Sequence, residues 1–540
     1  MMKRIALLIF NFSFLIVTQG VAQEKVVVSG SVQSDMLVPN KDTETGFVKG
    51  SPTGYDDYFM TNTYADVALQ SKYVDAGVRF EFTQFPMPGF NDNANDFKGC
   101  GFPNIYVKGK LKNVEITGGS FYEQFGSGFI LRTYEERSLG IDNSLLGGRV
   151  VYTPYKGITL KALSGLQRTY WTLKTNTVSG ADVELNLEEW AKKMQEKDVR
   201  LSVGGSWVNK YEKDEFVMAD PTHRYNFPKF VNAFDFRTNL QTHGFGFLAE
   251  YAFKTQDPTL INSYDYSSGQ VGMLSASYSK KGMSFLAQAR RSELMDFRSQ
   301  RNIPRLSRAA YINHLPAFTM DHTYALAALY PYATQPDGEW AVQGSAAYTF
   351  KKKSKLGGKY GMTAKLNVSH VRNDGRTYYQ DINVQLERKF NKQFKLNLMY
   401  MNQKYNKAII EREGGMIHSN VGVVEGRYQF NKKFTLRAEL QYLQTKQDEG
   451  DWVQGLVELS IVPHWMVSLS DMWNCGNSDP VYYVENTHYH YYQGSITYSI
   501  KSHRIQLGYV RNRAGFNCSG GVCRRVPASR GVTLSYNYNF

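Results

Sequence analysis

Two stretches of this 540-residue chain carry charged side chains whose types could act together. In residues 119–149 (GSFYEQFGSGFILRTYEERSLGIDNSLLGGR), Arg132, Glu135, Glu136, Arg137, Asp142 and Arg149 stand close together. Carboxylates and guanidinium groups opposed across a wet passage would narrow it and order polar solutes in a transverse field. The same groups would serve equally as ion pairs that pin a loop to a wall. The first part of residues 290–340 carries Arg290, Arg291, Arg298, Arg301, Arg305 and Arg308 against only Glu293 and Asp296, and the second part, residues 317–340, is aromatic and apolar, with Phe318, Tyr324, Leu326, Leu329, Tyr330 and Tyr332. A connection of this length is usually functional or disordered, and this one is too apolar for disorder. It is expected to fold into a lumen as a constriction or plug, its arginines favouring anionic solutes. The alternative is an external loop whose arginines bind lipopolysaccharide phosphates.

Other reactive groups are sparse. Cys518 and Cys523 flank Ser519-Gly520-Gly521-Val522, a turn flexible enough to join them as a disulfide in an oxidising compartment. The sequence leaves the pairing of Cys100 and Cys475 open. His488 and His490 would share a face on a strand, but no third ligand is visible, so no metal site is expected. The chain has no HExxH, G-x-S-x-G, Walker or G-x-G-x-x-G pattern. Neither enzymatic chemistry nor a cofactor is therefore expected; a barrel lipase or protease built from scattered Ser, His and Asp is a remote third reading.

The elements that must position these groups alternate with a period of two. Ala76, Val78, Phe80 and Phe82 fall opposite Asp75, Gly77, Arg79, Glu81 and Thr83; Ile382, Val384, Leu386 and Phe390 fall opposite Asp381, Asn383, Gln385, Glu387 and Lys389; Leu436, Ala438, Leu440 and Tyr442 fall opposite Thr435, Arg437, Glu439 and Gln441. Arg388 breaks the second pattern near a strand end, where it can snorkel. Short connections with aromatic ends, such as Phe390-Asn391-Lys392-Gln393-Phe394 and Phe430-Asn431-Lys432-Lys433-Phe434, alternate with long polar ones such as residues 211–229 and 471–488. That is the pattern of outer-membrane barrels, with aromatic girdles at the interfaces. About 11 short and 12 long connections give a best estimate of roughly 24 antiparallel strands, within a range of about 18 to 26. Residues 187–197 read as a short helix in a turn.

Composition and chain ends bound the class. A mean hydropathy of -0.43 excludes a polytopic helical membrane protein, and 14% aromatic residues exclude disorder. Lys3 and Arg4, the apolar stretch 5–17 and the small residues Gly20 and Ala22 describe a signal peptide, residues 1–22, cleaved near Ala22. Removing Lys3 and Arg4 lowers the net charge from +14 to +12. Export makes nucleic acid a poor partner for that charge; outer-leaflet lipid, lipopolysaccharide phosphate and small polar or anionic solutes are better ones. The final strand places Leu534, Tyr536, Tyr538 and Phe540 at alternate positions and ends on Phe, which resembles the assembly signal read by the barrel-insertion machinery.

Residues 119–149 and 244–251, the Asn313-His314-Leu315-Pro316 run and residues 517–523 (NCSGGVC) together resemble an uncharacterised outer-membrane barrel family of Bacteroidota, a domain of unknown function, over nearly the whole mature chain. The resemblance implies fold and location and brings no catalytic residues. The expectation is all-β: residues 23–540 form a single large transmembrane antiparallel barrel with no separate plug domain, in the outer membrane of a Gram-negative bacterium. It would pass small polar or anionic solutes by passive diffusion. The rival is a non-conducting scaffold or accessory subunit of an envelope secretion or assembly complex, with an envelope protein as partner.

Overall fold

The computed structural model describes residues 26–51, 54–90, 97–304, 309–476 and 488–540. The expected signal peptide, Arg305, Arg308 and much of the 471–488 loop lie outside them. Among the described residues, twenty-four strands form one antiparallel sheet in which each strand pairs with its neighbour in the chain. The first strand, Val27–Pro39, pairs with the last, Ser529–Asn539, from Ser31 opposite Asn539 to Pro39 opposite Gly531, so the sheet closes on itself and has no edge. Phe540 completes the seam: its amide and carbonyl bond reciprocally with Gly30, both at 3.0 Å, and its ring lies where a Cβ on residue 30 would stand.

Polarity is inverted relative to a soluble sandwich. Val78, Ile382, Val384, Leu386, Leu440 and Leu534 are exposed, whereas Arg79, Glu81, Asp381, Asn383, Glu439 and Gln441 are buried. One alternation therefore faces outward as an apolar band and the other faces the lumen, the arrangement a bilayer requires of a spanning sheet. No helix is long and apolar enough to cross a membrane, which says nothing of strands.

Eleven connections lie at the end that holds both termini and twelve at the opposite, far end. Turn chemistry sets the tight ones. Asn391 and Asn431 each accept two backbone N–H bonds, from Gln393 and Phe394 and from Lys433 and Phe434, at 2.7 to 3.0 Å. Asp374-Gly375 turns with φ of 48° and 75°, as a two-residue hairpin demands. Residues 187–197 are indeed helical, as the turns Leu187–Glu189 and Lys192–Glu196. Aromatics ring the termini end: Phe390 stacks on Phe394 at 5.6 Å, Trp465 meets Tyr498 at 4.5 Å and Tyr538 stacks on His503 at 4.2 Å. The Arg388 guanidinium sits 5.1 Å from the Phe390 ring in this girdle.

One boundary differs from expectation. Arg290 and Arg291 belong to the wall strand Met283–Glu293, and the connection proper spans residues 294–337, because alternation continues to Glu293.

Candidate lumen plug and its charged anchors

The inner wall changes character along its length. Nearer the termini it carries Asp182, Asp235, Asn367, Asn383 and Glu425; nearer the far end the same faces carry Val178, Val231, Ala233, Val271, Val371 and Leu443. Apolar groups facing a wet lumen demand a cover, and two far-end connections supply it. Phe125, Phe129, Ile130 and Leu131 of connection 122–144, with Met295, Phe297, Ile312, Phe318 and Leu326 of connection 294–337, join these wall residues in one buried cluster. Hydrogen bonds fix the fit. The Asn313 amide donates to the carbonyls of Phe129 and Met295 at 2.9 and 2.7 Å, joining the two connections. Tyr324 donates to Glu425 at 3.1 Å, Gln403 donates to the Tyr330 carbonyl at 3.1 Å, and the Leu326 amide donates to Gln441 at 3.0 Å, joining the second connection to the wall.

The charged residues anticipated from sequence serve as anchors. Arg79 on the wall holds Asp66 at 2.6 Å and Glu135 at 2.7 Å; Arg137 holds Asp66 at 2.8 Å and Glu135 at 2.7 Å; Arg168 holds Glu81 at 2.7 Å and Asp142 at 2.5 Å. These three arginines and four carboxylates tie the small hairpin Glu135–Glu136/Ile141–Asp142 to three wall strands. Burial alone would raise the Asp142 pKa, yet Arg168 and Arg79 hold it below the usual carboxylate range. Arg149 meets Glu123 at 2.5 Å, away from that network. Arg132 lies 4.9 Å from the Tyr134 ring, and Glu136 accepts from the Ser138 hydroxyl at 2.7 Å.

In the second arginine group, Arg290 and Arg301 are neutralised by partners distant in sequence, and Arg298 and Arg291 by near ones. Arg290, with a fully buried side chain, pairs with Glu339 and donates to the Pro316 carbonyl. Arg298 meets Asp296 at 3.0 Å and Arg301 meets Glu212 at 3.3 Å. Arg291 points outward, donating to Asn373 at 2.7 Å and pairing with Glu293. An anion preference expected from Arg290, Arg298 and Arg301 thus has no unpaired charge behind it here, since Glu339 and Glu212 return across the fold. Beneath them, Lys210 and Lys254 hold Asp257 at 2.6 and 2.9 Å and keep its carboxyl at about 2 although burial opposes this.

A third far-end connection locks the second. Residues Gly515–Ser519 and Val522–Val526 form a hairpin joined by a Cys518–Cys523 disulfide. Gly521, at φ +92°, accepts at its carbonyl from the Thr334 amide at 3.1 Å, and a Cβ there would lie 2.7 Å from the Ala317 nitrogen, so only glycine fits. Arg524 sits 3.8 Å over Phe90. Between hairpin and plug is a cavity of about 110 Å³ lined by Tyr134, Arg298, Tyr311, His314, Gln335 and Phe516. Burial, aided by Arg132 and Arg290, depresses His314 to about 3, so the imidazole is neutral.

Cys100 and Cys475 are free. Among the described residues, no group of three His, Cys, Asp or Glu is placed to hold a metal; His490 instead meets Asp471 at 2.6 Å. Sequence reasoning missed Asp66, Arg168, Glu212, Asp257 and Glu339 as partners. For Asp66, Arg168, Glu212 and Glu339 the only signal was charge on the lumen-facing alternation, as at Arg79 and Glu81; Asp257, in the connection after Lys254, had none.

Solved structures with a similar arrangement include a pilus usher pore, a siderophore receptor and a porin. The P pilus usher (PapC) translocation pore is 12% identical, with 95% of this chain and 99% of that one covered and a TM-score of 0.44. The siderophore receptor PirA from Acinetobacter baumannii is 8% identical, with 97% and 81% covered and a TM-score of 0.39. A BenF-like porin from Pseudomonas fluorescens Pf-5 is 9% identical, with 96% and 98% covered and a TM-score of 0.34. No curated protein matches the sequence. A family model matches residues 2–540, and with it the chain belongs to the family of unknown function DUF6029.

Proposed function

We propose that the protein is an outer-membrane barrel of the channel type that its own connections keep shut, and that small polar solutes cross when the 294–337 segment leaves the lumen. The observation that carries this reading is the single buried cluster joining connections 122–144 and 294–337 to the far half of the wall. An outward apolar band with a girdle at the termini end supports insertion in an outer membrane, termini toward the periplasm. Insertion would use the assembly signal at Leu534, Tyr536, Tyr538 and Phe540. A Bacteroidota source follows from the resemblance and is part of the same proposal.

The paired state of Arg290, Arg298 and Arg301 favours a second reading, in which the seal is permanent and the barrel is a scaffold for an envelope protein partner. Conductance of the refolded mature chain in a planar bilayer separates the two. Wild type is expected to stay closed with rare openings. A variant with residues 317–332 replaced by a Gly/Ser linker is expected to show discrete open steps. Steady wild-type conduction would overturn the closed state, and a folded linker variant that does not conduct would overturn the channel.

A further inference from the structure

Outside the plug, the outer wall is not uniform around its circumference. Elsewhere the far half of the wall carries aromatics, among them Trp207, Phe230, Phe102 and Trp473, all more than a third exposed. The sector built from strands Met362–Asn373 to Phe434–Thr445 differs. Cross-strand register places His370, Gln380, Lys404 and His418 in one row, each opposite the next. All four point outward, because their neighbours Ser369, Val371, Tyr379, Asp381, Gln403, Tyr405, Ile417 and Ser419 are buried on the lumen side. Arg372, opposite Trp340, stands one step nearer the far end. No ion pair among the described residues includes Arg372 or Lys404, whereas Arg290, Arg298 and Arg301 inside are all paired.

Two residues deeper, about 7 Å along the strands, the same face carries Asn402 and Asn420 and then Gln444. Asn402 donates to Asn420 at 2.9 Å, Tyr400 donates to Asn420 at 2.8 Å and Asn420 donates to Gln444 at 3.4 Å. Deeper still come Leu398, Val424 and Leu440, each at least 40% exposed. Amides at the top of an apolar wall are costly unless a polar partner meets them.

From the rim inward the sector therefore presents cations, then amides and phenols, then aliphatic side chains. We propose that it binds the phosphorylated head group of an outer-leaflet glycolipid. Arg372 and Lys404 take the phosphates, the Asn402–Asn420–Gln444 ladder takes sugar hydroxyls, and Leu398, Val424 and Leu440 take the acyl chains. An ordinary phospholipid would satisfy the first and third layers but not the second. The inference rests on the outer-membrane reading but not on conduction.

The test is native mass spectrometry of the full chain in detergent, offered lipid A, dephosphorylated lipid A, phosphatidylglycerol or inorganic phosphate. Wild type is expected to retain lipid A in preference to the other three. The R372Q/K404Q variant should lose at least about tenfold, since each basic group near a membrane surface contributes about 1 kcal/mol. K432Q/K433Q, the same charge change in a termini-end turn, should lose nothing. Equal retention of phosphatidylglycerol or of dephosphorylated lipid, unchanged retention by R372Q/K404Q, or equal loss in the control overturns the proposal. So does inorganic phosphate bound as tightly as lipid A, which would make the row a free-anion site. Heat-modifiable mobility and insertion into phosphatidylcholine vesicles report separately on the barrel, so failure of the membrane reading is seen apart from failure of the site.

Discussion

The two halves of the lumen share the same strands yet are built on different principles. In the termini half the inner wall is polar and partly open: Arg437, its side chain 32% exposed, sits among Glu425, Glu439 and Glu458. In the far half the wall is apolar, and Arg290 and Glu339 form an ion pair with both side chains fully buried. Water can solvate the first cluster, whereas the second depends on its neighbours for every hydrogen bond. The lesson is that alternation decides which face is inside, while the change of polarity along that face decides where chain must fold back.

The comparison breaks most directly if the far half is emptied. Replacing residues 317–332 with a Gly/Ser linker removes Phe318, Leu326, Tyr330 and Tyr332 from the cluster, and conductance should rise from rare events to sustained open steps. Planar bilayer recordings check this. A barrel that folds and stays closed would mean that connection 122–144 alone seals the far half.

The ion pairs sharpen the contrast. Arg290→Met leaves Glu339 buried without its cation and should cost about 3–5 kcal/mol. Arg437→Met in the wetter half should cost about 0–1 kcal/mol. Denaturant titration followed by heat-modifiable mobility measures both, and equal losses would erase the distinction. The double variant Arg290→Met/Glu339→Met should recover most of the first loss, because no charge is then stranded.

Much of this architecture is legible in the sequence. Period-two alternation at residues 75–83, 381–390 and 435–442 gave strand faces correctly, and the alternation of connections gave twenty-four strands, because both signals are local. The aromatic part of 294–337 pointed inward for a simple reason: it had too much apolar surface to stay in water. The partners of the arginines were not legible. Glu339 lies 49 residues from Arg290 and Glu212 lies 89 from Arg301, and no local pattern encodes which lumen-facing carboxylate a closed sheet brings to a given guanidinium. The boundary at Arg290 was misplaced because a run of arginines resembles a loop when its outward and inward members are not separated.

Acid should loosen the far half and spare the other. Burial depresses His314 to about 3 and His322 to about 4. His314 faces Arg132 and Arg290, and the Asp381 carboxylate lies 3.9 Å from the His322 Nε2. Once the segment is released, both imidazoles return to an ordinary pKa of about 6.5. The released form therefore binds more protons between about pH 4 and 6.5, so docking is full above about pH 6.5 and weakens as pH falls. Each histidine contributes up to about 1.4 kcal/mol per unit in that window. Opening frequency should climb steeply between pH 6.5 and 5, and His314→Gln with His322→Gln should flatten the profile. A profile unchanged by both substitutions would place the titrating groups elsewhere.

The smallest effect on conductance is expected at the lock. The Cys518–Cys523 disulfide closes a loop of only a few residues, so its restraint on the undocked chain is short and removing it should cost about 2 kcal/mol. The hairpin forms a two-stranded sheet apart from the 24-stranded wall and touches the plug through Gly521 and Thr334. Cys518→Ser/Cys523→Ser should therefore raise opening frequency modestly while leaving denaturant resistance of the barrel unchanged, and reductant should mimic the variant. If reductant instead lowers barrel stability as much as Arg290→Met does, the hairpin belongs to the wall's own cooperative unit, and the far half is a single body rather than a wall with a removable plug.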